Sequence, residues 1–346
     1  MDRTRDSRSK TTVADVARAA GVSAMSVSLA FRNSPRVSEK TRRKILNAAR
    51  NLHYIPNLSA RQLRSGQTDM IGFLVQDISN PFHSLMMKHA EAMFAEQNMN
   101  MVFGGSGWDP VRELQFAERL IRMRVRGILI CPTEKNPQLF SLLDDAEIPY
   151  VVLDSAPEDF PGCAVLNDLT ECGRLAARHL AERGARRIAY LDAGQERRTH
   201  SVFTRITEGF QTELAKQGLP FERSWQIPAG LTMQAGAEVC RQLCGQPDFP
   251  DAVFCVNDLC ALGFMNEAER HGLSAGKDFA LAGIDDMDFS SMERISLTTI
   301  RQPYEELARH AVAVLNTLMD GGTPLPRRIM LKQQLIIRNT TLHYNP

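Results

Sequence analysis

A chain of 346 residues, 43% of them hydrophobic and 23% charged, is long enough for two or three units, each with its own buried core. Its formal net charge of +1 conceals an imbalance: residues 1–67 carry 14 Lys and Arg against 4 Asp and Glu, a net +10, and the remainder carries 27 against 36, a net −9. The charged start has no apolar segment for a secretory signal, and no run of about eighteen apolar residues could span a membrane. The seven scattered cysteines fit a reduced cytoplasm better than a disulfide framework.

A small basic module on an acidic body is what a polyanion-binding head requires. Residues 1–10 read as a disordered basic tail, and 11–56 as a folded all-α unit. Thr12 followed by Asp15 has the spacing of a capping box, and Val13, Val16, Ala17 and Ala20 recur at helical period. Gly21 can end that helix and Ser23 can cap the next, on which Val27 and Ala30 face inward and Ala24, Met25, Ser28 and Leu29 stay outside. Small residues at the crossing allow the steep close approach of a helix-turn-helix, whose second helix lies in the major groove of DNA. Ser38 caps a third helix, with Ile45, Ala48, Ala49 and Leu52 as its buried stripe and Lys40, Arg42, Arg43 and Lys44 on its exposed face. Two helices of an ordinary bundle would share the capping and the alanines, and the basic third helix is what favours nucleic acid.

The run Asp15-Val16-Ala17, Ala20-Gly21-Val22-Ser23, Val27-Ser28, then Tyr54-Ile55-Pro56-Asn57 with Ala60 and Leu63, resembles the DNA-binding headpiece and hinge helix of lactose-repressor (LacI/GalR) family transcription regulators. The resemblance implies double-stranded operator DNA as a partner, bound by a homodimer. It implies base contacts from Ala24, Met25 and Leu29, with Thr12, Val13, Ser23, Ser26, Ser28, Arg32, Asn33 and Tyr54 around them. Many members carry Arg at the position of Leu29. Ala, Met and Leu cannot donate a bidentate hydrogen bond to guanine but can pack on thymine methyls, so base readout here is expected to be apolar. Residues 57–67 are then a hinge helix and linker. The helix is too short to stand alone and would order in the minor groove, with Asn57 at its start, Leu63 as the wedge between base pairs, Ala60 near the groove floor, and Arg61 and Arg64 on phosphates.

Beyond the linker the texture becomes alternating strands and helices. Strands are expected at 70–75, 99–103, 127–130, 150–153, 187–191, 225–228, 252–256 and 279–283. Helices are expected after Pro81, with Leu85, Met86, His89 and Met93 inside, and at 110–123, 137–145, 169–182, 203–216, 233–244 and 258–270. Such repeats require doubly wound parallel sheets, with a ligand at the carboxyl ends of the strands in the cleft between two lobes. Asp77 to Phe82, Arg126-Gly127-Ile128, His179 to Ala189, Asn257-Asp258, Gly283 to Asp286 and Leu297 to Pro303 resemble the same family's effector domain, which is similar to periplasmic sugar-binding proteins. The resemblance implies that 68–346 binds effector and dimerises, as a lobe of 68–167 with 299–330 and a lobe of 168–298 with 331–346.

The family's effector positions fall here on Asp154, Asp168, Asn257, Asp258 and Asp285 at strand ends, and Asn80 and Phe82 would line the other wall. Carboxylates converging in a cleft suit the hydroxyls of a sugar-like ligand. Two positions depart from the pattern. The usual effector Arg is replaced by Ile206, with Arg205 one residue earlier, and Leu231 stands where sugar binders often place an aromatic.

Catalysis finds no support. The chain has no nucleophile elbow or P-loop, and Gly104-Gly105-Ser106-Gly107 has the wrong spacing for a phosphate fingerprint. Cys240 and Cys244, one turn apart without a nearby His, read as buried small hydrophobes rather than metal ligands. No cofactor is expected. The expectation is a cytoplasmic, ligand-responsive repressor, with a free solute-binding receptor as the alternative. Salt-dependent retention of DNA separates the two.

Overall fold

The computed structural model describes residues 11–31, 34–54, 68–133, 136–197, 200–342 and 344, in two compact units divided between Gln67 and Thr68. The first unit holds α1 (Val13–Ala20), α2 (Ala24–Phe31) and α3 (Glu39–Asn51). Thr12 accepts the Asp15 amide through its hydroxyl, and the Asp15 carboxylate takes the Thr12 amide at 3.0 Å, so the capping box is closed. Gly21 then turns the chain at φ 60°, in the left-handed region that favours glycine, and the axes of α1 and α2 meet at 100°. Val16, Ala17, Ala20, Val27, Ala30, Val37, Ile45 and Ala49 form the core. Two expectations for its surface need correction. Ser28 and Leu29 are half-buried rather than outside, because Leu29 packs against that core. Arg42 is tucked in as well, with its guanidinium 2.7 Å from the Ser34 carbonyl.

The second unit is built on two six-stranded sheets. Its first half runs β1 (Met70–Val75), α4 (Pro81–Glu96), β2 (Asn100–Gly105), α5 (Pro110–Arg122), β3 (Gly127–Ile130), α6 (Pro137–Asp145), β4 (Tyr150–Asp154) and β5 (Ala164–Asn167). The next stretch runs α7 (Leu169–Glu182), β6 (Ile188–Asp192), α8 (Ser201–Lys216), β7 (Gln226–Pro228), α9 (Met233–Cys244), β8 (Ala252–Cys255), α10 (Asp258–Arg270), β9 (Ala280–Asp285) and β10 (Thr298–Arg301). The chain ends with α11 (Tyr304–Met319), β11 (Arg328–Leu331), β12 (Gln334–Ile336) and the single turn α12 (Asn339–Leu342). The strand orders are β11-β5-β4-β3-β1-β2 and β12-β10-β9-β8-β6-β7, parallel throughout except for the β10–β12 pair. Because parallel sheets are covered on both faces, the strands read as near-continuous apolar runs. Phe73, Leu74, Leu129, Val151, Val152, Tyr190 and Phe254 are wholly buried.

The chain passes between the sheets at Asp168, at Gln302–Pro303 and at Lys332–Gln333. The second and third passages were expected at 298/299 and 330/331 and fall later. Thr298–Arg301 pairs with β9 before the chain leaves, and Leu331 pairs with Asn167 before it returns. The buried face of α4 also differs from expectation. It consists of Phe82, His83, Met86, Met87, Ala90 and Phe94, while Leu85 and Met93 are half-buried and His89 meets the Tyr304 ring at 5.8 Å. The helix is covered by the sheet on one side and by α11 on another, so its apolar surface is wider than one stripe. α7 and α8 cross so closely that a Cβ on Gly173 would lie 2.0 Å from the Ile206 carbonyl oxygen, and one on Gly209 1.9 Å from that of Thr170.

Candidate DNA-binding surface and interlobe effector site

On the first unit the residues expected at DNA form an outward rim of α2. Ser23 caps the helix by accepting the Ser26 amide at 3.1 Å. Ala24 is exposed and Met25 is 65% exposed, so both face outward on the rim. Thr12 is exposed at the mouth of α1, its hydroxyl occupied by Asp15, and Val13 is half-buried against the core. Tyr54 closes the unit, its ring 6.0 Å from that of Phe31 and its hydroxyl pKa raised by partial burial. Arg32, Asn33, Asn57, Ala60, Arg61, Leu63 and Arg64 lie outside the described residues.

Between the two sheets, Asp154 and Asp285 form the centre of the candidate site. Asp154 is the last residue of β4 and Asp285 the last of β9, so each stands at the carboxyl end of its sheet. Both have positive φ, 68° and 118°, and both are 5% exposed. A non-glycine residue held in that region costs free energy, and such residues cluster where function demands a fixed side-chain direction. Each passage between lobes brings an amide side chain to this cluster, two on the pair itself and the third on Asn167. Asn167 donates its Nδ2 to Asp154 at 2.7 Å and accepts from Gln333 at 3.0 Å, and Gln302 donates to Asp285 at 3.3 Å. The Oε1 atoms of Gln302 and Gln333 are buried and meet no partner among the described residues. Burial, then the nearby Asp258 and Asp154 charges, hold the Asp285 carboxyl well above the usual carboxylate range, with the Gln302 hydrogen bond opposing them.

The rim beside this pair is closed by contacts from one lobe to the other. Arg205 of α8 donates to the Ala156 carbonyl at 2.9 Å, and the Ser155 and Ser201 hydroxyls are 3.1 Å apart. Trp108, after β2, packs its ring 5.0 Å from His200 and 5.5 Å from Phe203. Its indole Nε1 is buried with no partner among the described residues.

The other expected residues serve the lobes themselves. Asn80, Asp168 and Asn257 cap α4, α7 and α10 by accepting the amides of Phe82, Glu171 and Cys260. Asn257 also donates to the carbonyl of Leu231, a half-buried residue beside the second lobe's core. Phe82 is 3% exposed inside the first lobe's core rather than on a wall. Asp258 braces the second lobe. It is fully buried and accepts from the Met287 amide (3.0 Å), the Ser290 hydroxyl (2.6 Å) and the Thr299 hydroxyl (2.5 Å). Desolvation pushes its pKa up to about 7. Sequence reasoning did not find Trp108, Asn167, Gln302 or Gln333 as site residues. Gln302 was within reach, since it lies in the Leu297 to Pro303 stretch that carries the resemblance.

Residues 12–57 match the model of bacterial regulatory proteins of the lacI family, and residues 177–341 match a periplasmic binding protein-like domain. The ribose operon repressor of Escherichia coli is 30% identical over 95% of this chain and 99% of its own length. The chain belongs to the LacI family. The HTH-type transcriptional repressor PurR of Vibrio parahaemolyticus is 29% identical over 96% of this chain and 99% of its own. Among solved structures, the Lac repressor dimer bound to operator and the anti-inducer ONPF superposes with a TM-score of 0.82 at 26% identity, over 96% of this chain and 99% of that one. This LacI-family protein is thus a DNA-binding transcriptional regulator that responds to a small molecule. Family members are regulators rather than enzymes, and no single helix among the described residues is long and apolar enough to cross a membrane.

Proposed function

We propose that this LacI-family protein is a cytoplasmic, homodimeric repressor whose hold on its operator is set by a small, neutral, hydroxyl-rich effector gripped between Asp154 and Asp285. The observation that carries the reading is the pairing of two buried carboxylates, one on each sheet's carboxyl edge, each tied by an amide to a passage between the lobes. Two carboxylates and two unused amide oxygens accept hydrogen bonds, so the matching ligand is rich in donors. The name of the ribose operon repressor supports a sugar. Because Asn167, Gln302 and Gln333 lie in the passages, a ligand that draws on Asp154 and Asp285 alters the hydrogen bonds of the segments about which the lobes move. It shifts the lobe equilibrium by its differential affinity for the two arrangements.

At the DNA, the exposed Met25 and Ala24 would read thymine methyls, Leu63 would enter the minor groove, and the two headpieces of a dimer would address a palindromic operator. The test is a panel of neutral sugars, sugar acids and amines, scored by thermal shift of the full-length protein and then by operator affinity. A neutral sugar that raises the midpoint and changes operator affinity supports the reading, since a ligand that binds the folded state stabilises it by mass action. A response confined to acids contradicts it.

A further inference from the structure

A second hollow, of about 450 Å³, opens on the first lobe beyond the carboxyl ends of β1 and β2. It is lined by Gln76, Asp77 and Ile78 after β1, Gly105 and Gly107 after β2, and Arg112, Gln115, Phe116 and Arg119 along one face of α5. Asp154, Asp285 and the three passage amides do not line it.

Its distinguishing feature is two unspent cations. Arg112 and Arg119 are exposed, and their guanidiniums enter no hydrogen bond or ion pair with the described residues, although Asp109, Glu113 and Glu118 stand near them in the chain and Asp77 lines the same hollow. Each of those carboxylates is engaged elsewhere. Asp77 takes the Ser79 amide and hydroxyl, Asp109 caps α5, Glu113 is buried on the Thr133 amide and Asn136, and Glu118 pairs with Arg122 at 3.1 Å. The floor is backbone. A Cβ on Gly107 would come 3.3 Å from Nη1 of Arg112, so that guanidinium lies directly over the turn. Phe116 and the 54% exposed Ile78 supply apolar walls, and Gln76, 1% exposed, carries a buried Oε1 with no partner among the described residues.

We propose that this hollow binds a small phosphate ester that also carries hydroxyls, as a second ligand site distinct from the interlobe cleft. Arg112 and Arg119 sit seven residues apart on one helix face, two turns, so both guanidiniums can close on one dianion. Gln76 Oε1 accepts a hydroxyl, and Phe116 and Ile78 cover the carbon skeleton. The volume suits a small metabolite. Gly107 is followed at once by Trp108, whose ring packs on α8 of the opposite lobe, so a ligand held on the Gly107 turn reaches the lobe contact directly.

The experiment is isothermal titration of the full-length protein with glycerol 3-phosphate, inorganic phosphate and glycerol. Glycerol 3-phosphate should bind and glycerol should not, with phosphate weaker than the ester. Arg112→Gln with Arg119→Gln should lower the affinity at least tenfold, because each charged hydrogen bond carries about that factor. Gln115→Glu is a change at an exposed position that sets a carboxylate between the two arginines. It should weaken binding likewise without disturbing the fold. Asp285→Asn should leave the affinity unchanged. Undiminished binding in the arginine double variant, loss of binding in Asp285→Asn, or no binding by the wild type at millimolar ester would each overturn the proposal.

Discussion

Replacing Asp285 with Asn separates the cost of a buried charge from its use. Asn keeps the size and the acceptor oxygen that Gln302 approaches at 3.3 Å, and it tolerates φ of 118° better than Ala would. The backbone should therefore stay in place. The carboxyl is held well above its usual range by burial and by the charges of Asp258 and Asp154. Folding thus favours its protonated form, and the folded chain binds this proton more tightly than the unfolded chain does. Over the interval between the unfolded and folded pKa values, wild-type stability falls as pH rises. Asp285→Asn should accordingly match the wild type below about pH 4, where both forms are neutral, and become progressively more stable than it toward neutrality. Effector binding should move the opposite way. Asn puts an amide NH2 in place of one carboxyl oxygen, and an effector hydroxyl left facing it loses its acceptor at a cost of about 1–3 kcal/mol, roughly five- to a hundredfold in affinity. The assay pairs thermal midpoints across pH with operator titrations by fluorescence anisotropy, with and without the sugar that the panel selects. A variant that answers at the wild-type sugar concentration, or that loses operator binding when no sugar is present, would refute the reasoning.

Operator affinity of the wild type should fall on the order of a thousandfold between about 50 and 200 mM salt, as expected for a headpiece making several phosphate contacts per protomer. A flat salt response in electrophoretic mobility shifts would contradict a DNA role for the +10 segment. Leu63→Ala should weaken specific operator binding strongly while leaving sugar binding intact, and equal operator affinity would make 57–64 a plain linker. Gly209→Ala should lower stability by at least about 1–3 kcal/mol, the usual cost of overpacking, because its Cβ would fall 1.9 Å from the Thr170 carbonyl oxygen. Denaturant midpoints of the variant and the wild type decide it.

Local chemistry made the headpiece readable, since a capping box, a glycine turn and a serine cap each act within a few residues. Helices α6, α7, α9 and α10 were legible for the same reason, with Pro, Asp, Thr and Asn marking their starts. β5 was missed because only Ala164, Val165 and Leu166 form its apolar run, too short to show a period, and only pairing with β4 and β11 makes them a strand. β11 alternates in exposure at a sheet edge, and nothing in its own residues reports that its partner lies far back in the chain. The two central carboxylates were visible as strand-end aspartates. The amides around them were not, because Asn167 and Gln302 meet Asp154 and Asp285, and Gln333 meets Asn167, only where the chain passes between lobes. Asp258 looked equivalent to Asp285 in sequence, and the hydroxyls of Ser290 and Thr299 are what make it structural.

The edge strands β11 and β12 have a consequence for how this chain is made. β11 pairs Arg328 with Ala164, and β12 pairs Ile336 with Thr299, so both sheets gain an edge strand from a segment well downstream of the strand it pairs with. A growing chain on the ribosome cannot complete either lobe until these downstream strands have been made, and contacts of such long sequence separation form slowly. Until then the open edges of β5 and β10 present unpaired backbone groups of the kind that recruit other nascent chains. The N-terminal headpiece has no such dependence, since its core is entirely local. During translation a cell therefore holds a finished DNA-binding module on an unfinished sensor. A truncation before Arg328 would leave a regulator able to reach DNA but with no completed lobe to take an instruction.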